Sequence, residues 1–351
     1  MERIQSTGVS VAVMLSRRAL NRATLARQLL LERKNVKPLA AIERLVGLQA
    51  QLPRPPFIGL WSRIDGFRRT DLIRLIERGD VVRATMMRGT LHLMSRKDYV
   101  KFRATLQPML TLGAQSILRG RMSGIEVDRV VAEARPFFEE PHTFDEFRKY
   151  IGGGDERAIA YAVRMHLPLI QPPAEARWGY SASAVFTLFD DQLDSADLQA
   201  LVLRYLAAFG PASINDMQTW SGLRNLRESF EALRRKLVVF TDERGKELFD
   251  LPKAPRPDED SQAPVRFLPE YDNLLLGHAD RTRIVPEEYR KRMFTANLAI
   301  PAAFLVDGYV AGTWKIERGK VMLEPFGRLS KKAKDDLAEE GEKLARFVEG
   351  D

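Results

Sequence analysis

The chain has 351 residues, 45% of them hydrophobic and 29% charged, the balance of an ordinary globular protein, and no run of about 18 apolar residues that would span a membrane. It holds no cysteine, which excludes disulfides and thiolate metal sites, and its four histidines (His92, His142, His166 and His278) show no ligand spacing, so no metal is expected. The net charge of +8 is unevenly spread: residues 1–124 hold 23 Lys and Arg against 8 Asp and Glu, and the remainder 32 against 39, an excess that suits a polyanion and equally a solvated helical face.

In chain order, the apolar patch Val9–Leu15 lacks a leading basic region and a small-residue cleavage site, so no signal peptide is read. With the missing cysteines this gives the expectation of a cytoplasmic protein. Arg17–Lys34 is patterned as an amphipathic helix, with Leu20, Leu25, Leu29 and Leu30 on one side. Pro38 opens a second predicted helix, Pro38–Gln51, which Pro53, Pro55 and Pro56 end. Thr70 is the expected cap of Asp71–Arg78, and Val81–Met94 alternates around Arg88-Gly89 as a hairpin. Three helices and a two-stranded wing are the order of a winged helix.

The same order recurs downstream. Lys97–Leu118, Glu126–Glu139, Phe144–Ile151 and Ala158–Met165 are predicted helices, and Leu169–Gln171 with Trp178–Ala184 forms a second wing. Ala196–Phe209, Ser213–Trp220 and Leu223–Arg234 then precede a third hairpin of Leu237–Thr241 and Glu247–Leu251. Pro252–Pro264 is a polar linker or exposed loop. Ala302–Val306, Tyr309–Glu317 and Val321–Glu324 are predicted strands, and Lys331–Val348 is a terminal helix of alternating charge. The expected class is mainly α with short β-hairpins (α+β). It is divided into units at residues 1–95, 96–190 and 191–252, with a β-rich C-terminal segment at 265–351.

Gln49-Ala50-Gln51 is the tract with the most chemical content. A carboxamide is no base, but it donates and accepts hydrogen bonds at once, and two of them can hold and aim a water molecule. At helical spacing the two side chains point about 200° apart. They converge only where the backbone leaves the helix, which Pro53 allows. Taken alone, the pair reads as polar residues tying a helix end to its loop. Gly152-Gly153-Gly154 lacks the Lys-Ser/Thr of a phosphate loop, and no Gly-x-Ser-x-Gly elbow exists.

Five tracts carry a resemblance: Arg22–Leu31, Gly47–Gln51, Gly59-Leu60-Trp61-Ser62-Arg63, Met87-Arg88-Gly89-Thr90-Leu91-His92 and Leu268–Leu276. Together they resemble the winged-helix DNA-binding family that contains the azinomycin-resistance DNA glycosylase, the AlkZ-like DNA glycosylases. The resemblance implies tandem winged-helix units and a catalytic Gln-aliphatic-Gln motif at Gln49 and Gln51. It implies a monofunctional DNA glycosylase that excises N7-alkylated purines from duplex DNA, interstrand crosslinks among the candidate lesions, at an open site without full base flipping. No cofactor is implied, a monomer is expected, and the DNA partner implies association with the nucleoid when bound. Arg83, Arg88, Thr90 and His92 on the first wing become candidate DNA contacts. For the two arginines the alternative is a place in solvent, and for His92 a backbone partner; Thr90 fits either role. Trp314, Lys315, Arg318 and Lys320 lie on a hairpin that would probe the minor groove, with Trp314 equally suited to the core. Leu268–Leu276 is read as packing, with Glu270 and Asp272 able to orient neighbours. The alternative function is a non-catalytic winged-helix DNA-binding protein such as a transcriptional regulator, which would release no base.

Overall fold

The computed structural model describes residues 13–118, 126–295 and 299–350, and helices dominate it, with three small sheets among the described residues. This is the α+β class the patterning indicates. Residues 9–12 of the N-terminal apolar patch lie outside the described residues. The rest of the patch, Val13–Leu15, is a strand that the sequence reading did not foresee; it pairs parallel to Val238–Asp242, itself antiparallel to Glu247–Asp250.

Several boundaries shift for identifiable reasons. The first helix is Arg17–Arg27, capped by Ser16, and it stops because Leu29 turns into the left-handed region at φ 57. The second is Pro38–Arg44, so Gln49 and Gln51 are not helical. Val46 and Gly47, with φ of 55 and 82, reverse the chain, and the Gly47 N–H donates to Ile42 O at 2.9 Å. A Cβ on Gly47 would lie 2.9 Å from Met94 Cγ and 3.1 Å from Leu93 O, so only glycine fits this turn. Pro55 and Pro56 begin a helix, Pro55–Trp61, where the sequence reading used them only to end one. Helix Arg69–Glu77 is preceded by Arg68, whose N–H donates to Asp71 at 3.0 Å, and Thr70 is not its cap.

The first two expected hairpins meet in space. Their strands share one antiparallel sheet in the order Leu48–Gln49, Leu91–Ser95, Val81–Thr85, Leu169–Gln171, Val185–Leu188, His142–Thr143. Val185–Leu188 replaces the expected strand at Trp178–Ala184. Trp178 and Tyr180 serve packing instead, Trp178 edge-on to Phe57 at 5.0 Å between ring centroids. Cross-strand pairing puts Leu48, Leu93, Arg83 and Gln171 on one face, and Gln49, His92, Ala84 and Ile170 on the other.

A four-stranded antiparallel sheet (Arg266–Leu268, Ala303–Val306, Tyr309–Glu317, Lys320–Pro325) carries the terminal helix Lys331–Glu349. Leu337, Leu344 and Val348 of that helix join Phe267, Phe304 and Trp314 in one apolar cluster.

The uneven charge has an internal use. Arg27 pairs with Asp250 at 2.7 Å and Arg63 with Asp272 at 2.8 Å, with all four side chains sealed from solvent. Arg22 pairs with Asp307, Arg33 with Glu340 at 2.5 Å, and Arg54 with Glu270 at 2.6 Å. Arginines of the basic first third thus meet acids of the remainder, and the excess is not a purely outward-facing patch.

Candidate active site

The turn at Val46-Gly47 delivers Gln49 onto the edge strand of the six-stranded sheet, paired with His92. The ladder continues to Ala50, whose N–H donates to Leu91 O at 2.7 Å. The strand ends at Gln49, and Gln51 lies two residues on in a bend, so the pair is not held at helical spacing. Gln49 is buried, with 6% of its surface exposed, and Gln51 is exposed. Gln49 Oε1 accepts from Arg88 Nη2 at 2.7 Å, while its Nε2 amide has no partner among the described residues and is not sealed from solvent.

Arg83, expected at the DNA, lies on the opposite face from Gln49 and is buried. Its guanidinium donates to Ala50 O at 2.8 Å and Gln51 O at 3.1 Å, and stands over the Tyr180 ring at 5.3 Å. It therefore pins the backbone of the glutamine motif from behind. Arg88 also faces inward. It sits in the turn Met87–Gly89 with φ 56, and its second donor is taken by Trp220 O. Burial, then the nearby Arg281 guanidinium, draws its pKa down to about 10, so it stays charged at neutral pH. Thr90 is half-buried and donates to Met87 O at 3.1 Å within the same turn.

His92 is fully buried, which corrects its expected place as a DNA contact. Nδ1 lies 3.0 Å from Thr90 O. A carbonyl only accepts, so Nδ1 carries the proton and Nε2 is a bare acceptor, left without a partner. Burial, and next the Arg88 charge, push its pKa down to about 3. The unfolded chain takes up this proton near pH 6.5 while the fold refuses it to about pH 3. Stability is therefore lost as pH falls through that window. Between pH 7.5 and pH 5 the expected loss from His92 is about 2 kcal/mol. Urea unfolding at both pH values should show the gap shrink by about that much in His92→Gln; an unchanged gap would mean that His92 titrates normally in the fold.

The tract Leu268–Leu276 clamps the glutamine loop. Glu270 pairs with Arg54, Asp272 receives a two-pronged bond from Arg63, and Asn273 Nδ2 donates to Gly47 O at 3.2 Å. Glu270 and Asp272 thus orient neighbours, and Asn273 is a third contact that no spacing in the sequence signals. Beside the clamp, Leu52 (48% exposed) shares a hollow with Tyr271, Ile300, Thr313 and Phe326. A second hollow is lined by Asn215, Arg244, Lys246, Arg281 and Arg290.

The C-terminal hairpin keeps an exposed, charged tip, and its tryptophan takes the core reading. Trp314 is buried and donates from Nε1 to Leu268 O at 2.9 Å and Ala303 O at 3.1 Å, so it belongs to the core and not to a probing tip. Lys315, Arg318 and Lys320 are exposed, Lys315 paired with Glu317 at 2.6 Å. Thr313 lines the hollow beside Leu52, and the strand runs on to Glu317, about 14 Å further, before the turn at Arg318. The tip abuts Glu349, since a Cβ on Gly319 would collide with that carboxylate. Arg318 and Lys320 are thus set well away from the glutamine loop.

Among the described residues no group of acidic, His or Cys side chains could hold a metal ion, and no helix is long and apolar enough to cross a membrane. No curated protein sequence matches the chain. Among solved structures, the Streptomyces sahachiroi DNA glycosylase AlkZ is similar, with 20% identity, a TM-score of 0.75, and coverage of 96% of this chain and 97% of the other. At that identity the likeness speaks for the fold. The family model "DNA glycosylase AlkZ-like" matches residues 42–347, from just before the glutamine motif nearly to the end of the terminal helix. The chain belongs to the AlkZ-like DNA glycosylase family.

Proposed function

We propose that the protein is a monofunctional DNA glycosylase that releases N7-alkylated purines from duplex DNA. One observation carries this reading: Gln49 stands on the edge strand of the sheet, anchored by Arg88, and Gln51 is open to solvent in the bend just beyond it. Such a pair has no proton to give and no basic group, which limits it to a bond already weakened. Alkylation at N7 makes the purine cationic. When the C1′–N9 bond breaks, its electron pair returns to N9 and the base departs neutral, so no general acid is required. The amide dipoles stabilise the positive sugar, and a water held by them adds to C1′ and loses its proton to solvent. The product is an abasic site.

Membership of the family and the full-length likeness to AlkZ support this assignment. The exposed Lys315, Arg318 and Lys320 are the proposed phosphate contacts, together with Arg244, Lys246, Arg281 and Arg290 of the second hollow, which Asp242, Asp280 and Glu287 also line. Arg83, Arg88 and His92 act behind the site. An open site of this kind admits bulky adducts, interstrand crosslinks included. The winged-helix reading of residues 1–95, 96–190 and 191–252 belongs to the same proposal, as does action as a monomer.

The test is incubation with duplex DNA carrying 7-methylguanine or a nitrogen-mustard crosslink. Release of the free base and strand scission after mild alkali are expected. Tight duplex binding with no release from either substrate would leave a non-catalytic DNA-binding protein.

A further inference from the structure

Arg88 lies behind Gln49, part-buried, and no carboxylate is bonded to it among the described residues; its partners are Gln49 Oε1 and Trp220 O. The turn that carries it is tightly packed. A Cβ on Gly89 would come 2.6 Å from Met165 Cε, and one on Gly222 would lie 3.5 Å from Arg88 Cα. The backbone of the turn is therefore closely packed, and the guanidinium is held by its bonds to Gln49 Oε1 and Trp220 O. A guanidinium offers only donors, so the atom of Gln49 that faces it has to be the carbonyl oxygen, and the amide cannot flip. The Nε2 amide is left to face outward. It can donate to an oxygen but cannot accept.

We infer that Arg88 is a positioning residue that makes the two glutamines unequal: Gln49 is the fixed donor, and Gln51 is the group whose oxygen accepts from the attacking water. Gln49 then holds a lone-pair-bearing oxygen of the water or the sugar. Gln51 receives the O–H and so turns the remaining lone pair toward C1′. Among the described residues nothing holds Gln51 in one amide orientation, and it retains its acceptor.

Isosteric changes separate the roles, and the activity arms rest on the glycosylase reading. Gln49→Glu keeps a strengthened contact to Arg88 but loses the donor, and excision should fall by about 10²-fold or more. Gln51→Glu keeps the acceptor, and excision should stay within about tenfold of wild type. The reverse order would overturn the assignment. Arg88→Ala should lower excision by about 10²-fold while the Kd for the duplex stays within about threefold, and millimolar guanidinium should restore part of the rate where methylammonium does not. Excision within about threefold of wild type in Arg88→Ala would also overturn it. One arm does not depend on activity. The Gln49 side-chain amide resonances should shift in Arg88→Ala and return with guanidinium. Unchanged resonances would refute the hold on Gln49, whereas a wild type that releases no base would count against the glycosylase reading alone.

Discussion

Gln51→Ala is expected to slow release of 7-methylguanine by about 10²–10³-fold, the effect of losing one preorganised dipole at a developing charge. Gln49→Ala should cost a similar factor, because it removes the outward Nε2 donor and leaves Arg88 with Trp220 O as its remaining partner. Both substitutions should fold normally. Gln51 is exposed, Gln49 is buried but its Nε2 makes no bond within the protein among the described residues, and Ala50, the apolar residue of the motif, is untouched. Duplex affinity should change by only a few-fold, since neither side chain is charged. The double variant should lose less than the product of the single losses, because two amides sharing one water are not independent. Single-turnover excision with saturating protein separates these outcomes from weak binding. If both single variants excise at the wild-type rate, the chemistry resides elsewhere on the surface, and the motif is a loop anchor.

The second large effect is on stability. Asp272→Ala should destabilise the fold by about 3–5 kcal/mol, the usual cost of stranding a buried charge. Arg63 is fully buried, and Asp272 meets it with both oxygens at 2.8 and 2.9 Å. The remaining acceptors of Arg63 are Gln28 O at 3.0 Å and Gly59 O at 2.9 Å, both neutral. Asp272 also accepts from Leu274 N at 2.9 Å, so the turn that follows loses its cap. Arg63→Met combined with Asp272→Leu should recover much of the loss, because an apolar pair leaves no stranded charge. Urea unfolding measures both. A loss below about 1 kcal/mol in Asp272→Ala would mean that the two carbonyls alone satisfy Arg63. A partly folded variant should lose excision as well, because Asn273, next in the chain, holds Gly47 at the start of the glutamine loop.

Much of the fold was legible because it is local. Helices such as Phe144–Tyr150 and Ile214–Ser221 carry their caps in the sequence, with Thr143 and Ser213 each in a capping box. The hairpin around Arg88-Gly89 and the turns at Asp307-Gly308 and Arg318-Gly319 follow from the same short-range rules. What escaped is long-range. No local rule tells that strands from the first two expected units complete one sheet, or that Pro55-Pro56 starts a helix whose Gly59 carbonyl receives Arg63. The end of helix Pro38–Arg44 depends on a packing fact, the closeness of Gly47 to Met94 and Leu93, that periodicity does not record.

At the site, the sequence singled out Gln49, Arg83, Arg88 and His92 but not their directions. Type and spacing do not distinguish an arginine that reaches phosphate from one that grips a carbonyl. Arg83 and Arg88 are of the second kind because sheet register turned one away and a left-handed turn folded the other inward. Trp314 reads as tip or core with equal ease, and its two carbonyl acceptors settle it as core.

The ion pairs that join the two ends of the chain bear on how it is made. Arg22 waits for an acid 285 residues later, Arg27 for one 223 residues later, and Arg63 for one 209 residues later. During synthesis the leading segment therefore leaves the ribosome with its guanidinium groups uncovered, beside a surface of RNA. Closure of these three pairs is postponed until Asp307, Asp250 and Asp272 have been translated.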